Sequence, residues 1–546
     1  MKDSTAESAA ALLEEIAHLM KLKGENPFKV RAFEKAMDAI REKENLVELA
    51  KGGSLTQISG VGSSIAEILT EFLLQGKSSV REELQASLPP GLEELTQVPG
   101  LGPKKAMTLI QELEIRSLSE LEYACRENRL LKLKGFGEKA QNQILQGIQF
   151  LNSHAGQQRI SDALESADTF VESLKLPKEV SIFETGALRR RLEILSSLDF
   201  LVKAETAAAE KSARGTVEKS LAQFQKQNPS ALPVRISYCQ TPQFGYEWAR
   251  HTSTPEHWKA LGSPKEVDTE SEEKFYEKIG LTWIPPEARE TGEEVALAKK
   301  GPLKLLPEKG VRGIFHNHTT RSDGAATLEE MVRAAEKAGY SYIGISDHSQ
   351  SAVYAQGLKT PDLMDQRAEV KKIQEKFPNI RIFWGIESDI LQDGSLDYDD
   401  KILSQFDFVI ASIHSRFKMD REAMTDRILK AIRNPRTRFL GHATGRLLLG
   451  RKAYDMDMER VIQEAADHDV AIEINANPAR LDIDWRWGSA LRRSKTLVSV
   501  NPDAHETAGI DHVKFGVTVA RKALIPVDQV VNARSVAEVE KWLRRA

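Results

Sequence analysis

The sequence predicts a multidomain α/β protein with a helical N-terminal part, an α+β middle and a C-terminal half built as a parallel, barrel-like sheet with helices. Three observations carry this. Up to about residue 155, apolar residues recur at helical spacing and glycine-centred turns separate the runs. From about 156 to 300, short strand-like runs begin to alternate with helices. Beyond residue 309, seven short apolar runs alternate with amphipathic helical patterns, the signature of a parallel α/β arrangement. At 546 residues the chain is too long for one core, so several domains are expected.

Composition narrows the function classes. A hydrophobic content of 41% and a charged content of 29% suit an ordinary globular chain rather than a disordered or membrane one. The net charge of -4 announces no nucleic-acid binder, so any such surface must be local. Cys125 and Cys239 fall in different predicted domains, which disfavours a disulfide and favours a reducing cytoplasm. No apolar run of 18 residues occurs, and Met1-Lys2-Asp3-Ser4 opens no signal-type apolar region. The expectation is a cytoplasmic protein, monomeric and without a membrane partner.

In the N-terminal part, Ala9 to Leu22 reads as a helix, followed by Asn26-Pro27-Phe28-Lys29-Val30-Arg31-Ala32-Phe33, a turn leading into a basic helix. Three similar segments then recur: Ile58-Ser59-Gly60-Val61-Gly62, Val98-Pro99-Gly100-Leu101-Gly102-Pro103-Lys104 and Leu133-Lys134-Gly135-Phe136-Gly137-Glu138-Lys139. The glycines permit a tight turn whose N–H groups lead into a helix N-terminus, an anion site suited to phosphate. The pattern resembles the helix-hairpin-helix, a sequence-independent clamp on the DNA backbone. That resemblance implies DNA contacts at Gly60, Gly62, Gly100, Gly102, Lys104, Gly135, Gly137 and Lys139.

In the middle, Glu179 to Arg190 reads as strand, glycine turn and basic helix, and Ser197–Val202 and Val234–Tyr238 read as strands. Together with the hairpins, the Asn-Pro-Phe-Lys-Val-Arg-Ala stretch, Gly186-x-x-Arg189-Arg190 and Gln243-Phe244-Gly245 resemble a family X DNA polymerase. The resemblance implies a nucleotidyltransferase-like palm with three aspartates for two metals. Here those positions hold Ser197, Asp199 and Arg235, and the family's nucleotide motif is altered to Arg250-His251-Thr252-Ser253-Thr254. A cation at a ligand position repels the ion, so the expectation is a palm that keeps its fold and has lost catalysis. Ser64 and Ile68 stand where members that excise 5′-deoxyribose phosphate carry Schiff-base lysines. Glu266 to Lys278 reads as a solvated acidic helix face, and Pro285 to Lys309 as a linker.

The C-terminal half carries the chemistry. His316 and His318 sit two apart at the end of an apolar run, and Asp323 follows in a loop beside Gly324. Such a set suits zinc or manganese. Later strand ends finish in Asp347-His348, Glu387, His414, His442, Asp503 and His505, and barrels gather functional groups at those ends. The motifs Ser-Asp-His-Ser, Gly-Ile-Glu-x-Asp, Ala-Ser-Ile-His-Ser, Gly-His-Ala-Thr-Gly-Arg, Glu-Ile-Asn-Ala-Asn-Pro and Asn-Pro-Asp-Ala-His resemble the polymerase and histidinol phosphatase (PHP) domain. That resemblance implies a distorted (β/α)7 barrel holding up to three divalent ions of manganese, zinc or iron, with magnesium as a further candidate. One ion would take His316, His318, Glu387 and Asp503, a second Asp323, His348 and His505, and a third Glu387, His414 and His442. Asp347 and Asp389 would orient imidazoles, Asn475 and Asn477 would act as strand-end hydrogen bonders, and Arg446 and Arg480 would grip phosphate. His18, His154, His251, His257, His468 and His512 read as surface or core residues.

These readings divide the chain into 1–85 and 86–155 (helical, hairpin-bearing), 156–255 (palm-like), 256–308 (thumb-like segment and linker) and 309–546 (PHP barrel). The expected protein is a DNA-binding, metal-dependent phosphoesterase or 3′-5′ exonuclease acting on gapped, nicked or 3′-end DNA in repair. A working gap-filling polymerase and a small-molecule phosphatase of the histidinol-phosphate type are the alternatives.

Overall fold

The computed structural model describes residues 4–544, apart from 42, 44, 114, 117, 119, 120, 122, 123, 126–129, 131, 132, 134, 155, 229, 230, 353, 354, 450 and 451. Lys134 of the third hairpin and the side chain of His154 lie outside the described residues. The chain divides into two compact units, Met1–Ala155 and Gly156–Ala546.

The smaller unit is helical, with Asn26 capping helix Pro27–Ile40 through the Phe28 N–H at 2.9 Å. It holds two apolar cores, one built from residues between Ala6 and Leu84, the other mainly from residues between Leu92 and Ile148. The three glycine segments adopt one geometry. Gly60, Gly100 and Gly135 all have positive φ, at 94°, 85° and 89°. The following hydrophobes close the same turn, Val61 N–H to Ile58 O, Leu101 N–H to Val98 O and Phe136 N–H to Leu133 O, at 2.9–3.1 Å. Val61, Leu101 and Phe136 are buried, while every hairpin glycine is exposed at the head of its helix. The sequence repeat is therefore a structural repeat with its polar backbone outward.

The larger unit begins with two small sheets. Strand β1 (Gln158–Arg159) pairs antiparallel with β3 (Ile194–Leu195). Strands β2 (Val180–Glu184), β4 (Leu198–Ala204) and β5 (Val234–Gln240) form a sheet in the order β2-β4-β5, and β4 and β5 run parallel with Asp199 beside Arg235.

Two composition-based readings are corrected next to this sheet. Glu272, in the acidic stretch taken as solvated, is fully buried and bonded to both Arg189 (2.6 and 2.8 Å) and Arg289 (2.7 and 2.9 Å). Arg289, within the stretch taken as a linker, is itself fully buried, and Glu287 pairs with Arg521. The first half of this stretch is thus packed into the unit, with Ala288, Val295 and Ala298 in an apolar core, because its charges find partners far along the chain. A second set of ion pairs has the same effect. Buried Lys522 donates to Glu290 at 2.5 Å and to the Arg190 carbonyl at 2.8 Å, and Arg190 also reaches Glu290 at 3.2 Å.

The barrel comprises β6 (Gly313–Ile314), β7 (Tyr342–Ile345), β8 (Arg381–Asp389), β9 (Phe408–Ser412), β10 (Thr437–Leu440), β11 (Ala471–Asn475) and β12 (Val498–Asn501). Their order in the sheet is sequential and every pair is parallel, the predicted seven-stranded architecture. Pairing in the first strand stops at Ile314, short of the histidines. The extended continuation crosses to the last strand instead. His318 N–H donates to the Ala504 carbonyl at 2.8 Å, and Ala504 N–H donates to the His316 carbonyl at 3.3 Å, which joins the first and last strands at the C-terminal rim. An aromatic cluster of Phe315, Tyr342, Phe383, Phe408 and Phe439, with Trp542 from helix Val536–Leu543, fills the interior. A side chain on Gly385 would lie 2.4 Å from the Phe408 ring, so that position requires glycine.

The buried triad generates a prediction. Burial alone would raise the Glu272 carboxyl, but Arg289 and Arg189 hold it down to about 2, against an ordinary value of 4.5. A depressed carboxyl contributes fully above its unfolded value and loses that contribution as pH falls through the folded one. Glu272→Gln should therefore cost about 3–5 kcal/mol at neutral pH, measured by urea unfolding. The advantage of wild type should shrink below pH 4.5 and vanish toward about 2.

Candidate metal centre

The C-terminal rim gathers the charged side chains. Glu387 lies inside β8, His414 and His442 follow β9 and β10 by two residues, and Asp503 follows β12 by two. The rim contact that joins the sheet's edges brings His316 and His318 against Asp503, with His318 Nε2 3.3 Å from Asp503 Oδ1. Gly324 keeps Asp323 in reach, because a Cβ there would strike the Thr319 backbone at 2.7 Å.

All nine expected residues converge. Ligand-capable atoms form four groups, each within 4.8 Å: His318, Asp323, His348 and His505; His316, His318 and Asp503; His316, Glu387 and His442; His348, Glu387 and His414. Glu387 is the hub. Its Oε1 is 3.0 Å from His442 Nε2, 3.3 Å from His414 Nε2 and 3.3 Å from His316 Nε2, and its Oε2 is 3.0 Å from His348 Nδ1. The grouping differs from the expected sets: His318 also joins Asp323, His348 and His505, Glu387 is not grouped with His316, His318 and Asp503, and His414 sits with His348 while His442 sits with His316. His318 is stacked between His348 and His505, with ring centroids 4.4 and 4.2 Å away. Most of the cluster is buried, and Asp323 and His505 form its exposed side.

The donor set fits divalent cations. His316 Nε2, His318 Nε2 and Glu387 Oε2 are buried and make no hydrogen bond of acceptable geometry, whereas buried polar atoms are ordinarily satisfied. Burial opposes charge on His316, yet Glu473, Asp503 and Glu387 raise its proton affinity well above the usual imidazole range. Burial likewise opposes charge on His348, and Glu387 and Asp323 lift it to about 10. His318 goes the other way, to about 3, through burial and the neighbouring His348 and His505. A field that draws protons onto buried imidazoles also draws cations, and mixed imidazole and carboxylate ligands suit manganese, zinc or iron.

Partners behind the cluster set its tautomers. His414 Nδ1–H faces Asp389 at 2.7 Å, which turns Nε2 toward Glu387. Asp347, expected to orient an imidazole, instead holds the loop carrying Asp323, accepting from Thr319 N–H (2.7 Å), Thr319 Oγ1 (2.8 Å) and Ser322 Oγ (2.6 Å). Asn475 donates to Asp503 Oδ2 at 3.0 Å, and Asn477 caps its own loop. Sequence reasoning missed Glu473. Its carboxylate accepts from His316 Nδ1 (2.7 Å), the His442 N–H (2.8 Å), Asn475 (3.0 Å) and Asn501 (3.1 Å). The signal was a charged residue inside the apolar strand Ala471–Asn475.

The two arginines part company. Arg480 Nε lies 3.6 Å from Asp503 Oδ2 at the edge of the cluster. Arg446 is corrected: its Nε donates to the Arg480 carbonyl at 3.0 Å, and its Nη atoms bond Asp484 and the Leu481 carbonyl. It clamps a loop and presents no free fork for phosphate.

In the palm-like sheet, Ser197, Asp199 and Arg235 also come together. Ser197 Oγ donates to both Asp199 oxygens at 3.0 and 3.2 Å, and Arg235 Nη1 lies 4.0 Å from Asp199 Oδ1. The hairpin residues Lys104 and Lys139 are exposed beside their glycines. His257, outside the cluster, is buried between Glu294 (2.6 Å) and Tyr276 (2.8 Å). No helix of the described residues is long and apolar enough to cross a membrane.

Comparison with known proteins agrees with this layout. Residues 5–78 match the family model of a helix-hairpin-helix domain, 92–149 that of a SAM-like helix-hairpin-helix tandem, and 315–477 that of the PHP domain. A Bacillus subtilis protein named DNA polymerase/3′-5′ exonuclease PolX is 34% identical over 98% of this chain and 98% of its own. A Thermoanaerobacter protein named a probable phosphatase is 29% identical over 42% of this chain and 93% of its own. A similarly named Photobacterium profundum protein is 27% identical over 40% of this chain and 89% of its own.

Glu473→Gln retains the shape but gives one of the two oxygen positions to an amide that cannot accept. Metal affinity should fall about 10- to 100-fold, read by calorimetric titration of manganese. Unchanged affinity would remove Glu473 from the site.

Proposed function

This chain belongs to the PolX family of DNA polymerase/3′-5′ exonuclease proteins, and from that premise we propose that its working catalyst is the rim cluster of the barrel. It is a metal-dependent hydrolase with helix-hairpin-helix DNA-binding domains. The observation that carries the assignment is the convergence of nine His, Asp and Glu side chains into four overlapping ligand groups, two of which share Glu387.

We assign His316, His318, Asp323, His348, Glu387, His414, His442, Asp503 and His505 to holding up to three ions, with manganese or zinc favoured by the donors. Divalent ions bound there would acidify water and neutralise phosphate oxygens during in-line displacement. The chain's own contribution is orientation. Glu473 and Asp389 turn the Nε2 lone pairs of His316 and His414 inward. Arg480, beside Asp503 at the edge, is the side chain best placed to grip a substrate phosphate. The three outward hairpins would hold the DNA backbone without reading sequence, through the glycine turns and through Lys104 and Lys139. The substrate class is DNA 3′ ends, gapped or nicked, in cytoplasmic repair. The phosphatase-named relatives cover only the barrel part of this chain, so hairpins favour DNA over a small phosphate ester.

For the palm-like sheet we infer loss of nucleotidyl transfer. Asp199 already has a hydroxyl donor and a neighbouring cation, so the two-metal arrangement lacks its other carboxylates.

One assay tests the assignment: 3′-labelled gapped DNA with manganese, on wild type and His414→Ala, with nucleotides added in a parallel set. Wild type should release the 3′ label with the terminal nucleotide, the variant should lose about 100-fold or more in rate, and neither should extend the primer. Extension with manganese or magnesium would restore the polymerase reading. Faster turnover of a sugar phosphate than of DNA would favour the phosphatase one.

A further inference from the structure

The loop from Asn477 to Trp487 touches three places at once. Near the cluster, Arg480 faces Asp503, and Asp482 accepts from the Thr444 N–H (3.0 Å) and hydroxyl (2.9 Å), two residues beyond His442. In its middle, Asp484 pairs with Arg446, which also bonds the Arg480 and Leu481 carbonyls. At its far end, Trp485 Nε1–H donates to Glu193 at 3.0 Å, and Arg486 pairs with the same carboxylate at 2.5 Å. Arg486 also reaches Asp484 at 3.0 Å, which links the far end to the middle.

Glu193 belongs to the palm-like region. Its carbonyl holds the Ile160 N–H at 3.1 Å, and it immediately precedes β3. The residue is 7% exposed, so its carboxylate needs partners. It finds both on the barrel loop, nearly three hundred residues on. Among the described residues Arg480 has one ion pair, at 3.6 Å, so its placement depends on the backbone that carries it.

We propose that Glu193 is a positioning residue for the metal centre: the palm-like region, through Trp485, Arg486, Asp484 and Arg446, fixes the loop that presents Arg480 to substrate phosphate. The proposal rests on the metal-centre reading. It gives the palm-like region a role that does not require nucleotidyl transfer.

The test is a double-mutant cycle on the full chain with a 3′-labelled oligonucleotide and manganese. Glu193→Ala should raise KM about tenfold, and in an Arg480→Ala background it should raise KM no further, the non-additivity expected of one network. Bound manganese per chain should stay at the wild-type level. If Glu193→Ala does not fold, Glu193→Gln, which keeps an acceptor for Trp485, replaces it in the cycle. An unchanged KM, or penalties that multiply in the double variant, would overturn the proposal. An active His414→Ala would overturn it by a different route, by removing the metal centre itself.

Discussion

The rim cluster depends on how the barrel sheet's two edges meet. His318 donates to Ala504 and Ala504 to His316, so the backbone groups that make the contact flank the side chains that face inward. Without it, His316 and His318 would sit on one edge strand and Asp503 and His505 on the other. With it, imidazoles and carboxylates from residue 316 to residue 505 share one small volume around Glu387. The aromatic cluster with Trp542 fills the interior without polar ligands, which leaves the C-terminal rim to the chemistry.

Placing so much charge in a buried site is costly, and the structure offsets that cost with a supporting shell. Glu473, Asp389, Asn475 and Asn501 hold imidazoles and carboxylates in fixed orientations. The same tactic recurs away from the site. Glu272 between Arg189 and Arg289, and Glu290 between Arg190 and Lys522, are buried charges that are matched rather than avoided. The second of these spans the palm-like region and the barrel, as does Glu193 with Trp485 and Arg486.

Much of this was legible in the sequence. Seven parallel strands were expected from apolar runs alternating with helical patterns; His and acidic residues at the run ends, with Asp323 in the loop after His318, marked the rim, and the PHP resemblance supplied the ligand set. The hairpins were legible because positive-φ glycines leave a repeated pattern. What escaped was long-range pairing of charge. Glu272 looked solvated and Arg289 looked like part of a linker, because the partners of Glu272, Arg289 and Arg189, lie 17 and 83 residues away from it. Arg446 and Arg480 looked equivalent, each beside a motif, but Arg446 is spent on the loop between Arg480 and Asp484, whereas Arg480 faces Asp503 at the edge of the cluster. Glu473 was quoted within a motif yet left without a role, because its four donors come from three other strand ends and its own.

The central claim is that the rim cluster, and not the altered palm, holds the ions. Anomalous scattering from crystals of the full chain grown with manganese tests it most directly. The account predicts peaks bounded by His316, His318, Glu387, His414, His442 and Asp503, and none beside Asp199. Strong peaks between Asp199 and its neighbours, with an empty cluster around Glu387, would contradict it.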